Sequence, residues 1–185
     1  DATAAWSGDA IGTYGGLVID PVTGVWTYTL DDTATVVEEL DEGDAVTEIF
    51  TATVTDDNGA STTETITITV TGTNDEPVIA GPDNGTVAEA GHLDDGTAVA
   101  GTPTANGTMV SNDIDDSATA TWSGDATSTY GALTIDATGN WTYTLDNTAA
   151  EPLDEGDVVS ETFTVTVTDD QGAADTETIT VTING

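Results

Sequence analysis

The sequence predicts an all-β protein built from tandem antiparallel β-sandwich repeats. Three observations support this fold class. Apolar residues alternate with threonine along several short segments, turn-forming residues separate those segments, and long stretches of the chain recur with few changes. Alternation with a period of two is typical of strands that bury one face and expose the other.

The clearest strands lie at residues 65–71 (TITITVT) and 162–168 (TFTVTVT). In both segments every second residue is apolar and the residues between are threonine. Threonine has a high β propensity and adds no charge, so it suits the solvent face of a strand. We therefore expect one face of each strand in a core and the other in water.

Turn signals lie between the expected strands, and no amphipathic helix with caps is evident. Several short strands per unit of about 100 residues, separated by such turns, favour an antiparallel sandwich. The predicted turns are Asp57-Asn58-Gly59, Thr138-Gly139-Asn140, Asp95-Gly96 and Asn106-Gly107.

Aromatic residues fall on matching strands in the two copies. Trp26 and Tyr28 share one face of a strand, and Trp141 and Tyr143 do the same in the second copy. Core packing is the favoured interpretation, because large aromatic side chains dominate the buried area of small domains. A platform for stacking sugars is the alternative.

The internal repeat covers most of the chain. The offset between copies is 116 at Trp6 and Trp122, 115 at Trp26 and Trp141, and 113 at Leu40 and Leu153. Both changes in the offset fall in turn or loop sequence, where insertions are tolerated. The matching segments are 3–20 with 119–136, 24–31 with 139–146, and 40–72 with 153–185.

The copies give a first unit at residues 1–72, a linker at 73–76 and a second, complete unit at 77–185. Residues 77–116 have no counterpart in the first unit, which therefore lacks its leading strands. Two interpretations remain open. The favoured one is that the sequence is an excerpt of a longer repeat array; the other is that a neighbouring chain supplies the missing strands by β-strand addition.

The charge balance limits the partners. The chain has 35 acidic residues, no Lys, Arg or Cys, and a formal net charge of −35. Nucleic acid and anionic membranes are excluded because both require basic patches, and no apolar run is long enough to span a bilayer. Salt screens exposed charges over about 8 Å, but clustered carboxylates need a bound cation, and oxygen-only ligands favour Ca²⁺.

Catalysis is not expected. Without Lys, Cys or Arg the chain cannot form a Schiff base, a thiolate or an anion clamp. His92, in the segment Ala90–Asp94, is interpreted as a surface-loop residue without a catalytic partner. Paired carboxylates serve glycosidases, yet the pairs here repeat with the domain, which indicates a structural role.

Four acidic motifs lie on predicted loops. Closely spaced Asp and Asn on turns supply the six to eight oxygens that Ca²⁺ prefers, with backbone carbonyls completing the shell. The motifs are Leu40–Asp44 with its copy Leu153–Asp157, Asp56–Gly59 with its copy Asp169–Gly172, the linker Asn74–Pro77, and Asn112–Asp116.

The chain resembles the VCBS repeats of giant secreted bacterial adhesins. The resemblance rests on LDEGDVVSETFTVTVTDDQGAADTETITVTING at 153–185, on GNWTYTLDN before it, and on the link GTNDEPV at 72–78. It implies a cadherin-like (immunoglobulin-like) sandwich, export by a type I system, location at the bacterial surface, and a role in biofilm formation or host adhesion. It also implies Ca²⁺ at the domain junctions.

Carried over by matching position, the resemblance implies two ligand sets. Cadherins have a basic residue within the first motif where this chain has Glu42-Gly43. The resemblance therefore does not fix the spacing of the second ligating carboxylate in that motif. The junction ion would use Asp41, Glu42, Asn74, Asp75, Asp113 and Asp115, with Asp169 facing the same junction; a distal site of the second unit would use Glu89, Asp154 and Glu155.

Together these features predict a structural stalk repeat that Ca²⁺ stiffens. The expected partners are neighbouring repeats of the same chain. Two alternatives are an adhesive module for glycans or cell surfaces, and a filament subunit joined to neighbouring protomers by strand exchange.

Overall fold

A computed structural model of the chain describes residues 4–92, 95–115 and 118–185. The chain divides into two compact units, which are described separately. Unit 1 comprises Asp1–Asp75 with Ile114–Asp116, and unit 2 comprises Glu76–Asp113 with Ser117–Gly185.

Unit 1 is a small two-sheet structure. One sheet has the strand order β1-β5-β6 and the other β2-β3-β4, all antiparallel. Its elements are β1 (Ala4–Ser7), β2 (Ala10–Ile11), β3 (Gly15–Ile19), β4 (Trp26–Leu30), the one-turn helix α1 (Thr35–Glu38), β5 (Ala45–Asp56) and β6 (Ser61–Thr71).

The core of unit 1 joins its two sheets. Leu17 and Ile19 of β3 pack with Phe50 and Ala52 of β5. These residues occupy every second position of their strands, so the period-two pattern decides which side chains are buried.

Within the described ranges, unit 2 contains more strands than unit 1. Its elements are β7 (Val78–Ala80), β8 (Asn84–Ala88), β9 (Gly91–His92), β10 (Ala98–Val99), β11 (Thr104–Thr108), β12 (Val110–Asn112), β13 (Thr121–Ser123), β14 (Ala126–Thr127), β15 (Gly131–Ile135), β16 (Asn140–Leu145), the one-turn helix α2 (Asn147–Ala150), β17 (Val158–Thr168) and β18 (Ala174–Asn184).

Two four-stranded sheets form the sandwich of unit 2. One has the order β11-β16-β15-β14 and the other β13-β17-β18-β8. All neighbours are antiparallel except β8, which runs parallel to β18. Trp141, Tyr143 and Phe163 lie in the core between the sheets.

The predicted all-β antiparallel sandwich is confirmed. The alternation in residues 162–168 corresponds to β17, whose apolar positions are buried, and residues 65–71 lie in β6. The helices are single turns, and Asp146 caps the second by accepting a hydrogen bond from the Thr148 N–H at 2.9 Å. Among the described residues no helix has the length and apolar character needed to cross a membrane.

One predicted turn is wrong. Asn106 and Gly107 lie inside β11, where Gly107 pairs with Trp141 of β16. A Cβ atom on Gly107 would come within 2.7 Å of Trp141 Cε2. The glycine therefore serves a close approach to a ring, a use that the sequence does not distinguish from a turn.

Two further expectations need correction. The structure places His92 in the short strand β9, paired with Ala98 and exposed, rather than in a loop; the next two residues of the motif, Leu93 and Asp94, lie outside the described residues. Core packing holds for Trp141, which is 0% exposed, but is wrong for Trp26, which is 46% exposed.

Candidate calcium sites at the acidic turns

The acidic motif before β5 in unit 1, and its copy before β17 in unit 2, is a tight turn. In unit 1 the Asp44 N–H donates to the Asp41 carbonyl at 3.0 Å, and in unit 2 the Asp157 N–H donates to the Asp154 carbonyl at 2.8 Å. The glycine between them, Gly43 with φ +102° in unit 1, adopts a left-handed conformation that other residues rarely reach. The turn holds its acidic side chains at the surface: Glu42, Asp154 and Glu155 are exposed and Asp41 is half-buried.

The last strand of each unit ends against this turn. The Gly72 N–H donates to the Asp44 carbonyl at 3.1 Å, and the Gly185 N–H donates to the Asp157 carbonyl at 2.9 Å. A Cβ atom on Gly72 would collide with the Leu40 and Asp41 carbonyls. Glycine at this point therefore lets the chain that follows begin directly beside the acidic turn.

The linker of unit 1 meets a third acidic segment. Asn74 Nδ2 donates to the Asp75 carbonyl at 2.9 Å, and the Asp75 N–H donates to Asp115 Oδ2 at 2.8 Å. Asp115 is only 8% exposed. Asp75 and Asp115, two of the predicted ligands, are thus in direct contact, and Asp41 belongs to the turn on which β6 ends. Asp116, from the same predicted motif as Asp115, lies outside the described residues.

Asp169 of unit 2 is buried in the turn after β17. Its Oδ1 accepts hydrogen bonds from the N–H groups of Gln171, Gly172 and Ala173. Asp56 Oδ1 holds the matching turn of unit 1 in the same way. The structure therefore shows a turn-stabilising role for Asp169, and its predicted role as a metal ligand stays a prediction, as does that of the half-buried Asp113.

Glu89 directly follows β8 and lies at one end of unit 2. Its N–H donates to the Asn184 carbonyl at 3.0 Å, which fixes the residue at the end of the sheet. Its Oε2 atom is buried and has no hydrogen-bond partner among the described residues. Burial, together with the charge of Glu151, raises the pKa of Glu89.

Two neighbours of Glu89 were not found from the sequence. Asn147 Oδ1 accepts from the Ala90 N–H at 2.7 Å, while its Nδ2 donates to Glu151 Oε1 at 2.9 Å. Asn147 is the first residue of helix α2 and Glu151 caps its C-terminal end, and neither belongs to a repeated acidic motif. Only the fold therefore shows that Glu151 acts electrostatically on Glu89.

Within the described ranges, no group of three or more Asp, Glu or His side chains is gathered closely enough to hold a metal. A Ca²⁺ ion also accepts amide and backbone carbonyl oxygens, so a site with one or two carboxylates fits the residues present. The buried oxygen of Glu89 is the clearest sign of such a fit, because an uncompensated buried carboxylate is costly.

Another buried carboxylate recurs in both units. Glu161 Oε2 accepts from the Tyr143 hydroxyl at 2.8 Å and its Oε1 accepts from the Tyr130 N–H at 2.8 Å; Glu48 makes the matching bonds with Tyr28 and Tyr14 at 2.7 and 3.0 Å. The signal was present in the sequence, because both glutamates stand in phase with the buried positions of their strands.

Comparison with known proteins identifies a family for this chain. Residues 74–185 match the family model described as "Bacterial cadherin-like domain", which is more than half of the chain. The chain belongs to the bacterial cadherin-like domain family. Cadherin-like families are non-enzymatic structural and adhesion modules, and cadherin domains typically bind Ca²⁺.

Solved structures agree with the cadherin-like fold. The extracellular cadherin domains 1–5 of protocadherin gamma B2 superpose with a TM-score of 0.52 at 14% identity, covering 98% of this chain and 32% of that chain. Domains 3–6 of the same protein give a TM-score of 0.51 at 14% identity, covering 97% of this chain and 39% of that chain. The chain thus spans less than half the length of these structures. No curated protein sequence matched the chain.

Proposed function

We propose that this bacterial cadherin-like chain is part of the stalk of a secreted adhesin of the VCBS type, in which Ca²⁺ bound at acidic turns stiffens consecutive repeats. The observation that carries the proposal is the buried Oε2 atom of Glu89, which has no hydrogen-bond partner among the described residues. A cation bound there would supply the missing interaction.

The electrostatics of Glu89 support a bound cation. Glu89 feels the negative charge of Glu151, and the whole chain offers no Lys or Arg to balance either carboxylate. Protonation would relieve the repulsion only at low pH, whereas a divalent ion relieves it at neutral pH. We propose that Glu89 and Glu151 hold this ion, with Asp154 and Glu155 of the nearby acidic turn as the ligands that the sequence predicts.

A second site is proposed at the linker of unit 1. The contact between the Asp75 N–H and Asp115 Oδ2, and the position of Gly72 against the Asp41 turn, bring oxygen-bearing residues to one end of the unit. Asp41, Glu42, Asn74, Asp75 and Asp115 would hold the ion there. The sequence also assigns Asp113 and Asp169 to it, and that assignment remains a prediction.

Ca²⁺ concentration then sets the stiffness of the stalk. Extracellular Ca²⁺ modules bind with dissociation constants of about 10⁻⁴ to 10⁻³ M. Such sites fill outside the cell and stay empty at cytoplasmic Ca²⁺ levels. Before export the acidic turns would repel each other, and after export the bound ions would neutralise them.

Calorimetry of the EGTA-treated chain, titrated with Ca²⁺, tests the proposal. We expect the unfolding temperature of unit 2 to rise with millimolar Ca²⁺ because the ion binds only the folded state. Glu89→Gln should lose most of that rise, and the exposed Asp57→Asn should keep it. An equal response in the two variants, or no response in the parent chain, would contradict the proposed site.

Small-angle scattering tests the stiffening separately. We expect the radius of gyration of the parent chain to increase on addition of Ca²⁺ and the spread of inter-unit distances to narrow. The double variant Asp75→Asn, Asp113→Asn should lose this response while keeping the thermal response of Glu89. Retention of the full scattering change in that variant would remove the linker from the mechanism.

A further inference from the structure

The tripeptide Asp-Asn-Gly occurs twice in the sequence, in two different structural settings. Asp57-Asn58-Gly59 forms the tip of the hairpin between β5 and β6, whereas Asn84 and Gly85 of the second copy are the first two residues of β8. The side chains of Asn58 and Asn84 are both exposed. A difference in the reactivity of the two asparagines must therefore come from the backbone that carries them.

Asparagine followed by glycine can react within its own chain. The backbone nitrogen of the glycine attacks Cγ of the asparagine side chain, which forms an N–Cγ bond and a five-membered succinimide, and the side-chain amide leaves with the nitrogen's proton as ammonia. Water then opens the ring at one of its two carbonyls and gives aspartate or isoaspartate. Glycine favours the attack because no Cβ atom shields its nitrogen. Water is the only reactant consumed.

The tip of the β5–β6 hairpin has no packing that opposes this rearrangement. All residues from Asp56 to Ser61 are exposed, and a Cβ atom on Gly59 would meet nothing within 4 Å. The hydrogen bonds of the tip are local: the Gly59 N–H donates to the Asp56 carbonyl at 3.1 Å, and Asn58 Nδ2 donates to Asp57 Oδ1 at 3.2 Å. Opening the tip breaks no core contact, so it costs little free energy.

The backbone at Asn84 is held in a sheet and against the core. Asn84 and Gly85 belong to the part of β8 that pairs with β18. A Cβ atom on Gly85 would lie 2.8 Å from the Ala105 side chain and 3.1 Å from Trp141 Cη2. Formation of a succinimide at Asn84 would require this strand to leave both the sheet and the core, so the folded structure opposes the reaction there.

Unit 2 contains the matching hairpin turn without the reactive residue. Its turn Asp169–Gly172 corresponds to Asp56–Gly59 and differs from it only in carrying Gln171 where unit 1 has Asn58. The glycine has a positive φ in both turns, +85° in unit 1 and +100° in unit 2. The longer side chain of glutamine would have to close a six-membered ring, which forms more slowly. The chain therefore carries a natural control for the reaction of Asn58.

We propose that Asn58 is a site of spontaneous deamidation, which converts the tip of the β5–β6 hairpin to aspartate or isoaspartate as the protein ages. The product places another carboxylate beside Asp56 and Asp57 in a chain that has no Lys or Arg, which increases the local repulsion. Isoaspartate also adds a methylene to the backbone of the turn. The reaction does not involve Ca²⁺, so it can be measured in EGTA and is independent of the proposed calcium sites.

Peptide mapping of the full chain after incubation in mildly alkaline buffer with EGTA is the test. Cleavage after glutamate suits a chain without Lys or Arg, and it gives residues 49–64 with Asn58, residues 65–89 with Asn84, and residues 162–177 with Gln171. Deamidation appears as the mass gain from replacing NH₂ by OH, and fragmentation locates it. We expect Asn58 to react at least tenfold faster than Asn84, with aspartate and isoaspartate products, and Gln171 to stay unchanged.

Two controls test whether the fold selects the site. In denaturing urea the two Asp-Asn-Gly segments should react at similar rates, because the sheet no longer holds Asn84. The variant Asn58→Gln, which gives unit 1 the turn sequence of unit 2, should abolish the mass gain in residues 49–64. Equal rates at Asn58 and Asn84 in the folded chain, or a tenfold difference that persists in urea, would overturn the proposal.

Discussion

The Tyr143 hydroxyl donates a hydrogen bond of 2.8 Å to Glu161 Oε2 in the core of unit 2, and Tyr28 donates one of 2.7 Å to Glu48 in unit 1. Both pairs join the two sheets of their unit, since the tyrosine lies on β16 or β4 and the glutamate on β17 or β5. A charged group can remain in such a core only while its hydrogen bonds are made.

Removing the acceptor in unit 2 should be costly. Glu161→Ala leaves the Tyr143 hydroxyl and the Tyr130 N–H without their partner. Hydrogen bonds to charged groups contribute about 1.5–3 kcal/mol each, and two are lost, so we expect the free energy of unfolding of unit 2 to fall by at least about 3 kcal/mol. Urea denaturation measures the loss. Glu161→Gln keeps an acceptor oxygen and should lose less; similar losses in the two variants would argue against the hydrogen bonds as the cause.

Unit 1 should lose stability in acid through Glu48. Burial alone would raise the pKa of Glu48, but hydrogen bonds from the Tyr28 hydroxyl and from the N–H groups of Tyr14 and Thr13 outweigh it and lower that pKa. A lowered folded-state pKa gives a stabilisation that is present above the unfolded-state value of about 4.3. It is lost as the pH falls through the folded-state pKa.

The comparison of the parent chain with Glu48→Gln isolates this effect from the other carboxylates. We expect the stability advantage of the parent to be largest near neutral pH and to shrink in acid, as measured by urea midpoints of unit 1 at several pH values. A difference that does not change with pH would show that Glu48 contributes by packing rather than by charge.

High pH should also weaken the hydrogen-bonded pair of Tyr28 and Glu48, because Tyr28 then ionises. Burial, followed by the hydrogen bond to Glu48 and its negative charge, raises the pKa of Tyr28 to about 12. A raised folded-state pKa gives a stabilisation that is present below the unfolded tyrosine value of about 10 and lost as the pH rises through the folded value. Ultraviolet titration of tyrosinate should show Tyr28 ionising late, and Tyr28→Phe should remove that late step.

Glu89→Gln should stabilise unit 2 without Ca²⁺ and reduce the stabilisation that Ca²⁺ adds. The raised pKa of Glu89 means that its ionised form destabilises unit 2 at neutral pH, so without Ca²⁺ the neutral glutamine should raise the unfolding temperature. With Ca²⁺ the parent should gain more than the variant. Scanning calorimetry in EGTA and in millimolar Ca²⁺ measures both. A variant less stable than the parent in EGTA would contradict the proposed charge repulsion.

Gly107→Val should destabilise unit 2 through a direct collision with Trp141. A Cβ atom at this position would lie 2.7 Å from the ring, and overpacking of a core typically costs about 1–3 kcal/mol. Thermal unfolding measures the change. The adjacent Asn106→Ala, whose side chain is exposed on the same strand, is the matched control and should leave the unfolding temperature nearly unchanged. Equal effects would point to backbone propensity instead.

Much of the fold could be read from local patterns. Threonine alternating with apolar residues predicted β6 and β17, because the direction of a side chain from a strand follows from its position in the chain. The repeat predicted two related units, and the repeated motifs Leu40–Asp44 and Asp56–Gly59 lie with their copies in turns at strand ends, whereas Asn112, expected on a loop, is the last residue of β12. Residues that are close together in the sequence set these features, so local sequence patterns are enough to predict them.

The candidate sites were only partly accessible to that reasoning. Family resemblance pointed to Glu89 and Asp75. It did not point to Glu151, which acts on Glu89, or to Asn147, which bonds Ala90 and Glu151, because the short helix that carries them contains no repeated motif. Asn106-Gly107 was predicted as a turn because the sequence does not show that Trp141 of another strand occupies the space a side chain would need. Such proximity depends on residues distant along the chain.

The sequence by itself determined the strand periodicity, the two copies, the acidic turns and the absence of any side-chain cation except His92, since all of these are properties of residue order and composition. Only the tertiary structure decided that Glu48 and Glu161 are held by tyrosine hydroxyls. The structure also shows that one carboxylate oxygen of Glu89 is buried without a hydrogen-bond partner among the residues it describes, and that Trp26 is exposed while Trp141 is enclosed. Two identical indoles differ in this way because burial depends on the strands that pair beside them, and that pairing is set by the three-dimensional fold.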